Sequence, residues 1–544
     1  MALSPYPTAI LGGVLSHIAY FNRGEHHTHA LFYIKLLFTT ITTATALLSH
    51  ATDTPWPAAL STVTKLTSSY LAGLYTSLLV YRLLAHPLNR FPGPLAARIS
   101  ATWLSTTLKN NLHLKLLAYH QSLGPFVRIG SSDLSIAHPD AVETVYGPNS
   151  RCIKGENYDL TKPTQSLQLM RDPEEHHARR RVWSTAFSDR LLRGYELRIR
   201  AYRRKLVERI AEMSRAGQPI NARKWFDLYS FDVMGDLSFG QGFGSLERGE
   251  EHWAISLLVA TQDAIGLFLP AWAFTILTAV PGLKGEFWRF LDFCGERLME
   301  RYKNKPEIPD ISSSLFAPLK ERSISEITPE EKNLLYGDAR LIIIAGSDTT
   351  SGALSAIFYE LVRHPQEIEK LRDELAPFVD HNGPNKTEFL HSKLAHLDHL
   401  NGIINEALRL YPAVPSALQR KTPPEGIVVD GVHVPGNVHV YCPLYVIARS
   451  ELAYARPDEF IPERWYSQPE LVRNKAAFAP FSLGPFNCIG RPLALMNLRT
   501  TVAQLVMEFD VRFAPGEDGS RFLGNAKDNF VFYAGGLDLV FTRR

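Results

Sequence analysis

The chain has 544 residues, of which 45% are hydrophobic and 21% charged, enough to bury a large core. Its formal net charge is only +3, so it lacks the strongly basic stripe on which nucleic-acid binding usually rests, and no nucleic-acid partner is expected. The four cysteines, Cys152, Cys294, Cys442 and Cys488, are far apart and form no CxxC pair, which argues against a zinc ribbon, a redox dithiol and a disulfide scaffold.

Three apolar stretches precede residue 90, running from Tyr6 to Phe21, Ala30 to Leu48 and Ala58 to Leu84. Each approaches the roughly 20 residues that a membrane-crossing helix needs. Lys35 and Lys65 interrupt two of them, and Ser and Thr dilute the rest, so residues 1–85 are read as a membrane anchor of one to three hydrophobic helices. The last stretch, with its run LAGLYTSLLVYRLLA, is the strongest candidate. A cleaved signal peptide fits poorly, because MALSPYPTAI has no basic region and apolar character returns twice. In HPLNRFPGPLAA, Pro87, Pro92 and Pro94 remove donors and fix φ, making residues 86–94 a stiff hinge. Arg82 and Arg90 suit a cytoplasmic flank, so the body, residues 95–544, is expected to face the cytosol. The sequon Asn385-Lys386-Thr387 is then a chance occurrence.

Beyond the hinge, helical periodicity dominates, as in SAIFYELVRHPQEIEKLRDELAPFV and HLNGIINEALRLYP. Strands are few and short. The clearest lie near Val127 to Ala137 and in IVVDGVHVPGNVHVYCP, where alternation meets the turn residues Asp430-Gly431 and Pro435-Gly436. One large domain, mainly α with small β-sheets, is the economical reading.

Three segments carry chemistry. In LIIIAGSDTTSGALSAIF an apolar helix is interrupted by Gly346, Ser347, Asp348, Thr349 and Thr350, which mark either a distortion or cavity or an ordinary core helix. Glu406 and Arg409 stand at i and i+3 on one helix face and can pair, though an exposed pair is worth only about 0.3–0.5 kcal/mol. In FSLGPFNCIGRPLALMNLR, Cys488 sits in a glycine-flanked loop just before an apolar helix. That suits a metal thiolate, since amides at a helix start donate to sulfur and lower its pKa, while Gly484 and Gly490 let backbone approach a flat macrocycle. The other three cysteines read as small buried apolar residues.

The pattern FxxGxxxCxG from Phe481 to Gly490 resembles the haem-binding signature of the cytochromes P450. Glu406-Ala407-Leu408-Arg409 followed by PERW, with Arg464, resembles the family's Glu-Arg-Arg cluster, and Ala345 to Thr350 is similar to its AGxDTT motif. The resemblance implies a cytochrome P450 fold preceded by one or more transmembrane helices, and haem b with Cys488 as iron ligand in the loop of Phe481, Gly484 and Gly490. It implies that Asp348 and Thr349 deliver protons for dioxygen activation, that Ala345 and Gly346 leave room for oxygen, that Thr350 supports them, and that Glu406, Arg409 and Arg464 serve folding and haem incorporation. One departure stands out: Phe486 occupies a place where relatives commonly carry Arg or His against a haem propionate. Arg180, in HHARRRVWSTAF, and Arg420, in SALQRK, resemble other propionate-binding positions, and His176 takes the place of Trp in a WxxxR pattern. Arg179, Arg180 and Arg181 read otherwise as a solvated basic face.

The implied reaction inserts one atom of O2 into a hydrophobic small molecule, with electrons from an NADPH-cytochrome P450 reductase and cytochrome b5 as an optional second partner. No flavin or nucleotide domain is present, so the reductase is a separate protein. The membrane end is similar to that of fungal members, which implies the endoplasmic reticulum and suggests secondary metabolism. Residues 153–170, 343–345, 414–418 and 530–534 are the candidate pocket lining. Two alternatives are a lyase or isomerase of the same fold, against which Asp348 and Thr349 speak, and a non-catalytic haem-binding protein, favoured only by Phe486.

Overall fold

The computed structural model describes every residue except 1–3, 216, 281–284, 305–308, 321, 380–386 and 417, so Asn385 and Lys386 of the sequon and Ala417 of the expected pocket lining lie outside it. The three N-terminal stretches are helices α1 (Pro5–Ser16, continuing to Phe21), α2 (Ala30–Thr52) and α3 (Trp56–Val80, continuing to Ala85). A Cβ on Gly13 would lie 2.0 Å from the Tyr70 carbonyl and one on Gly73 2.1 Å from that of Ile10. Glycine therefore lets α1 and α3 meet backbone against backbone, as small residues do between membrane helices. Leu11, Ile18, Phe32, Phe38, Leu47 and Leu84 are all more than half exposed on this three-helix unit. The preference for the last stretch needs correcting. Among the described N-terminal helices, the one that combines spanning length with high hydropathy is His27–Thr52, because Lys65 and the hydroxyl residues dilute Ala58 to Leu84.

The hinge is packed rather than free. Leu88 and Phe91 are buried in a core cluster, and the amide of Arg128 donates to the Pro92 carbonyl at 2.7 Å. Behind it the body is mainly helical. The elements that position the site are α4 (Pro173–Thr185), α5 (Ala222–Phe239), α6 (Trp253–Ile265), α7 (Ala271–Ala279), α8 (Pro329–Arg363), α9 (Asp398–Leu410) and α10 (Arg491–Glu508). Their starts follow capping chemistry. Asp172 accepts from the amides of Glu174 and Glu175 at 2.9 Å ahead of α4, and Thr328 and Glu331 form a reciprocal capping box ahead of α8, with Pro329 in its first turn. Helix α8 runs through the main core, its residues 353–361 all buried, and packs along α5.

The sheets are small. The largest runs β1 (Phe126–Arg128), β2 (Asp133–Ile136), β5 (His439–Tyr441), β4 (Arg420–Lys421), β3 (Ile153–Lys154) in spatial order, with β2 and β5 parallel in the register Leu134↔Val440 and the other pairs antiparallel. The expected segment from Val127 to Ala137 is thus the β1–β2 hairpin. Asp430 and Gly431, at φ 48° and 71°, turn the hairpin of Ile427–Val429 and Val432–Val434, the two-residue geometry that Asp-Gly favours. A further hairpin, β6 (Lys527–Asn529) and β7 (Val531–Tyr533), and a three-stranded sheet of Ile220–Asn221, Asp538–Arg543 and Phe509–Phe513 complete the described strands.

Candidate active site

Glu406 on α9 is the hub of a buried ionic cluster. Its carboxylate accepts from Arg409 Nε and Nη2 (2.9 and 2.8 Å), Arg464 Nε (2.9 Å), Trp465 Nε1 (2.9 Å) and the Ile461 amide (3.1 Å). The remaining donors of Arg409 and Arg464 reach the carbonyls of Ala448, Pro457, Glu459, Ala455, Leu471 and Arg456. Glu406, Arg409 and Arg464 are each at most 2% exposed, so this is no marginal surface pair. One carboxylate is thus shared by two guanidinium groups, whose remaining donors are satisfied by backbone carbonyls of residues 448–471, ahead of the cysteine loop.

In that loop the Cys488 amide donates to the Phe481 carbonyl at 2.8 Å, and α10 starts three residues later. Cys152, Cys294 and Cys442 are buried, whereas Cys488 is exposed. Although Cys488 is accessible, the protein groups packed near its sulfur desolvate it and push the thiol up, while the amides of Gly490 and Arg491 and the charges of Arg180 and Arg491 pull it down. The expected net lowering is therefore absent in the protein alone, because burial outweighs the donors; a cation at the sulfur would reverse the balance. A Cβ on Gly490 would meet nothing closer than the Cys488 sulfur at 3.8 Å, which leaves that side open. Gly484 is different. At φ 61°, its Cα faces the carbonyls of Tyr146 and Gly147, where a Cβ would sit 2.6 Å away, so it secures the loop to a neighbouring helix end rather than admitting a macrocycle.

Around Phe486 the structure gathers cations. Lys154 Nζ lies 4.9 Å and the Arg420 guanidinium 5.2 Å from its ring centre, and the His176 ring meets it edge-on at 4.7 Å. Arg180 donates to both the carbonyl (2.8 Å) and the side chain of Asn487. Lys154 and Arg420 are 3% and 2% exposed, and among the described residues no carboxylate is within ion-pair distance of Lys154, Arg180 or Arg420. The Nε of Arg420 has no partner. Buried uncompensated cations are costly. Burial, with the charges of Arg420 and Arg180, therefore holds Lys154 well below the usual lysine range, and burial with Lys154, Arg180 and Arg420 pushes His176 down to about 3. An anionic group is what this pocket lacks, so the residues present fit the carboxylates of a haem. Lys154 was missed in the sequence, where it was only one of the residues in the 153–170 stretch. The three arginines do not act alike: Arg179 is committed to the buried Asp338, with Trp183 Nε1 donating to the same carboxylate oxygen at 3.0 Å.

Helix α8 carries the other expected site residues. It is helical throughout, so of the expected distortion or cavity the distortion is absent: Ser347 and Thr349 satisfy their hydroxyls on the carbonyls of Ile343 and Ala345, four residues back, at 2.6 Å each. Ala345 is exposed although Ile343 and Ser347 beside it are buried. An opening in mid-helix is what a bound group on this face requires. Gly346 does not contribute to it, because a Cβ there would strike the Met234 side chain 2.4 Å away; its role is close packing of α8 on α5. Asp348 turns from Thr349 toward β7 and α6. It accepts from the Tyr533 hydroxyl and from Gln262 Nε2 at 3.4 Å, and burial first, with the nearby Asp227, raises its carboxyl to about 7. Gln262 carried no sequence signal and Tyr533 only its place in the expected pocket-lining stretch 530–534, since only the folded chain brings them to Asp348.

Comparison with known proteins agrees with this architecture. The family profile described as Cytochrome P450 matches residues 90–534. The chain is 47% identical over 536 residues, 98% of its length and 97% of the relative's, to the "Cytochrome P450 monooxygenase notG'" of Aspergillus versicolor. It is 46% identical over 544 residues, 99% and 96% of the two chains, to the "Tryprostatin B 6-hydroxylase" of Aspergillus fumigatus. With the "Cytochrome P450 monooxygenase sthD" of Phaeosphaeria nodorum it shares 41% identity over 480 residues, 87% of this chain and 98% of that one.

Proposed function

The chain belongs to the cytochrome P450 family and is a haem-dependent monooxygenase, and from that premise we propose that Cys488 supplies the thiolate ligand and that Asp348 and Thr349 hold the protons the reaction consumes. The haem, when bound, activates O2 with electrons from a redox partner and oxidises a hydrophobic substrate. The observation that carries the assignment is the Cys488 sulfur, the one accessible thiol of four, toward which two helix-start amides and Arg180 converge.

Lys154, Arg180 and Arg420 hold the haem carboxylates, taking over from the position that Phe486 fills. His176, held neutral by burial and then by its cationic neighbours, packs against Phe486 and does not add a charge. Glu406, Arg409 and Arg464 hold the polypeptide that presents the cysteine, while Phe481 ties the loop through its carbonyl. With a carboxyl near 7, Asp348 can both take up and release a proton at neutral pH, as a general acid should. Thr349 stands next to it on the accessible side of α8.

Residues 1–85 form the membrane anchor, 86–94 the hinge and 95–544 the catalytic domain, which faces the cytosol at the endoplasmic reticulum. There it receives electrons from NADPH-cytochrome P450 reductase, with cytochrome b5 as an optional second donor. By analogy with the relative named a tryprostatin B 6-hydroxylase, the reaction is hydroxylation of a hydrophobic small molecule in fungal secondary metabolism. The test is turnover in vesicles with the reductase, a substrate panel starting with tryprostatin B, and isotopically labelled O2. One labelled oxygen atom in the product is expected, and Thr349→Ala should divert NADPH electrons to peroxide. Product carrying oxygen from water, or unaltered coupling in the variant, would overturn the respective assignment.

A further inference from the structure

We propose that residues 5–85 cross the bilayer three times, leaving the N-terminus on the side opposite the catalytic domain. This deepens the membrane reading above. The loop between α1 and α2 is clasped to the body: Glu25 accepts from both terminal nitrogens of Arg171 and from Lys421 Nζ, each at 2.7 Å, and His27 Nε2 lies 2.9 Å from Asp159 Oδ2. At the other end, α3 runs into a hinge that is itself packed on β1. Both ends of the α2–α3 hairpin are thus held at the body, and α2 can cross a membrane only if α3 crosses back.

Charges along α3 and at the body ends of the helices then mark the two surfaces of the membrane. From Lys65 to Ala85 a helix rises about 30 Å, the thickness of the hydrocarbon layer, which places Lys65 at the far surface. Arg23 and Arg82, at the body ends of α1 and α3, fall at the near surface. Helix α1 runs beside α3 in the same direction, Ile10 against Gly73 and His17 Nδ1 2.9 Å from the Ser77 hydroxyl, so its first residues come level with Lys65. The body joins the apolar surface through α7, which packs on α2 and leaves Trp272 and Leu277 42% exposed. A lipid bilayer is the partner that fits these exposed rows.

The test uses the full chain in sealed microsomes with an epitope at each end. The C-terminal epitope should be digested by added protease and the N-terminal one protected. A cysteine at exposed Thr28 should react with a membrane-impermeant maleimide, and one at exposed Asp53 only after detergent. Digestion of the N-terminal epitope, or labelling of Thr28→Cys that needs detergent, would overturn the three-crossing arrangement. Extraction of the whole chain by alkaline carbonate would instead refute the membrane reading on which it rests.

Independently, the surroundings of Asp348 point to Tyr533 and Arg223 as positioning residues that hold its carboxyl at the inner end of a solvent inlet. A surface cavity of about 160 Å³, bordered by Asp263, Lys527 and Asn529, meets an inner one of about 30 Å³ bordered by Asp227, Ser347 and Asp348, with Arg223, Val259 and Tyr533 lining both. The inner space holds about one water. Arg223 stacks over the Tyr533 ring at 5.2 Å, donates to the Ala534 carbonyl and reaches Asp227 at 3.4 Å, so the phenol is held in place. A hydronium ion there gives its proton to an Asp348 oxygen and is left as water; the neutral carboxyl then turns to the Thr349 side, donates, and returns ionised.

This proposal rests on the role of Asp348, and the experiment separates the two. In the cofactor-free and loaded protein, the carboxylic-acid infrared band assigned by Asp348→Asn should titrate at higher pH in Tyr533→Phe, because the lost donor stabilised the carboxylate. Peroxide formed per NADPH should rise several-fold in the same variant, and the solvent isotope effect on turnover should increase in Val259→Phe, which narrows the passage at an exposed position. A Tyr533→Phe protein that changes only one of infrared titration and coupling, or neither, would overturn the role of Tyr533. Unchanged coupling in Asp348→Asn would overturn the role of Asp348 itself.

Discussion

Replacing Glu406 by alanine should be among the most damaging single changes in the body. The carboxylate takes five hydrogen bonds from four residues, and its removal leaves the guanidinium groups of Arg409 and Arg464 buried without a counter-charge. Breaking a buried ion pair on one side costs about 3–5 kcal/mol, against a total stability of about 5–15 kcal/mol. At about 2 °C per kcal/mol the melting temperature should fall by roughly 5–10 °C, and the cysteine loop, which this cluster anchors, should lose haem. Glu406→Gln keeps one acceptor oxygen but no charge and should fall between the two. Thermal unfolding followed by circular dichroism, with haem content measured on the same samples, decides the matter. A Glu406→Ala protein that melts within about 1 °C of the wild type with full haem would refute the reasoning.

Lys154→Met should hasten haem loss by roughly 10- to 100-fold, the worth of one charge-assisted contact of about 1.5–3 kcal/mol, measured by transfer to an apomyoglobin acceptor; an unchanged rate would remove Lys154 from the carboxylate site. Burial raises Asp348 to about 7 from 3.8, so the folded chain keeps this proton where the unfolded chain has lost it, and the group's contribution to stability declines as pH rises from about 4 to about 7. Asp348→Asn should therefore be the more stable protein at about pH 8, by up to about 4 kcal/mol, and near wild type at about pH 4; an equal difference at both pH values would contradict the shift. Gly484→Ala should destabilise the cysteine loop, since its φ of 61° and the two carbonyls 2.6 Å from a Cβ both exclude a side chain, and wild-type melting of that variant would show that the loop gives way.

What the sequence disclosed depended on the range of the interactions involved. Glu406 and Arg409 are three residues apart on one helix face, so their pairing was readable from local geometry, whereas Arg464, 58 residues on, and Cys488 were read only through resemblance to the family's motifs. Lys154 was not, since β3 reaches Phe486 only through its pairing with β4 and β4's with β5. The glycines were half-read. Position showed that Gly346 and Gly484 were special, but the reason lay in neighbours distant in sequence, Met234 for one and Tyr146 with Gly147 for the other. Asp348 was identified and its orientation was not, for its partner Tyr533 comes from the far end of the chain. Lys65, which looked like a flaw in a candidate span, acquires a place once the Glu25 clasp and the hinge fix both ends of the hairpin.

The central claim is that Cys488 ligates the haem iron as a thiolate. The measurement that tests it most directly is the absorption spectrum of the dithionite-reduced protein under carbon monoxide, for wild type and Cys488→Ala. The account predicts the strongly red-shifted Soret band of a thiolate-ligated haem in the wild type and its loss in the variant. An unshifted band in correctly folded wild-type protein, or a shifted band that survives in Cys488→Ala, would contradict it.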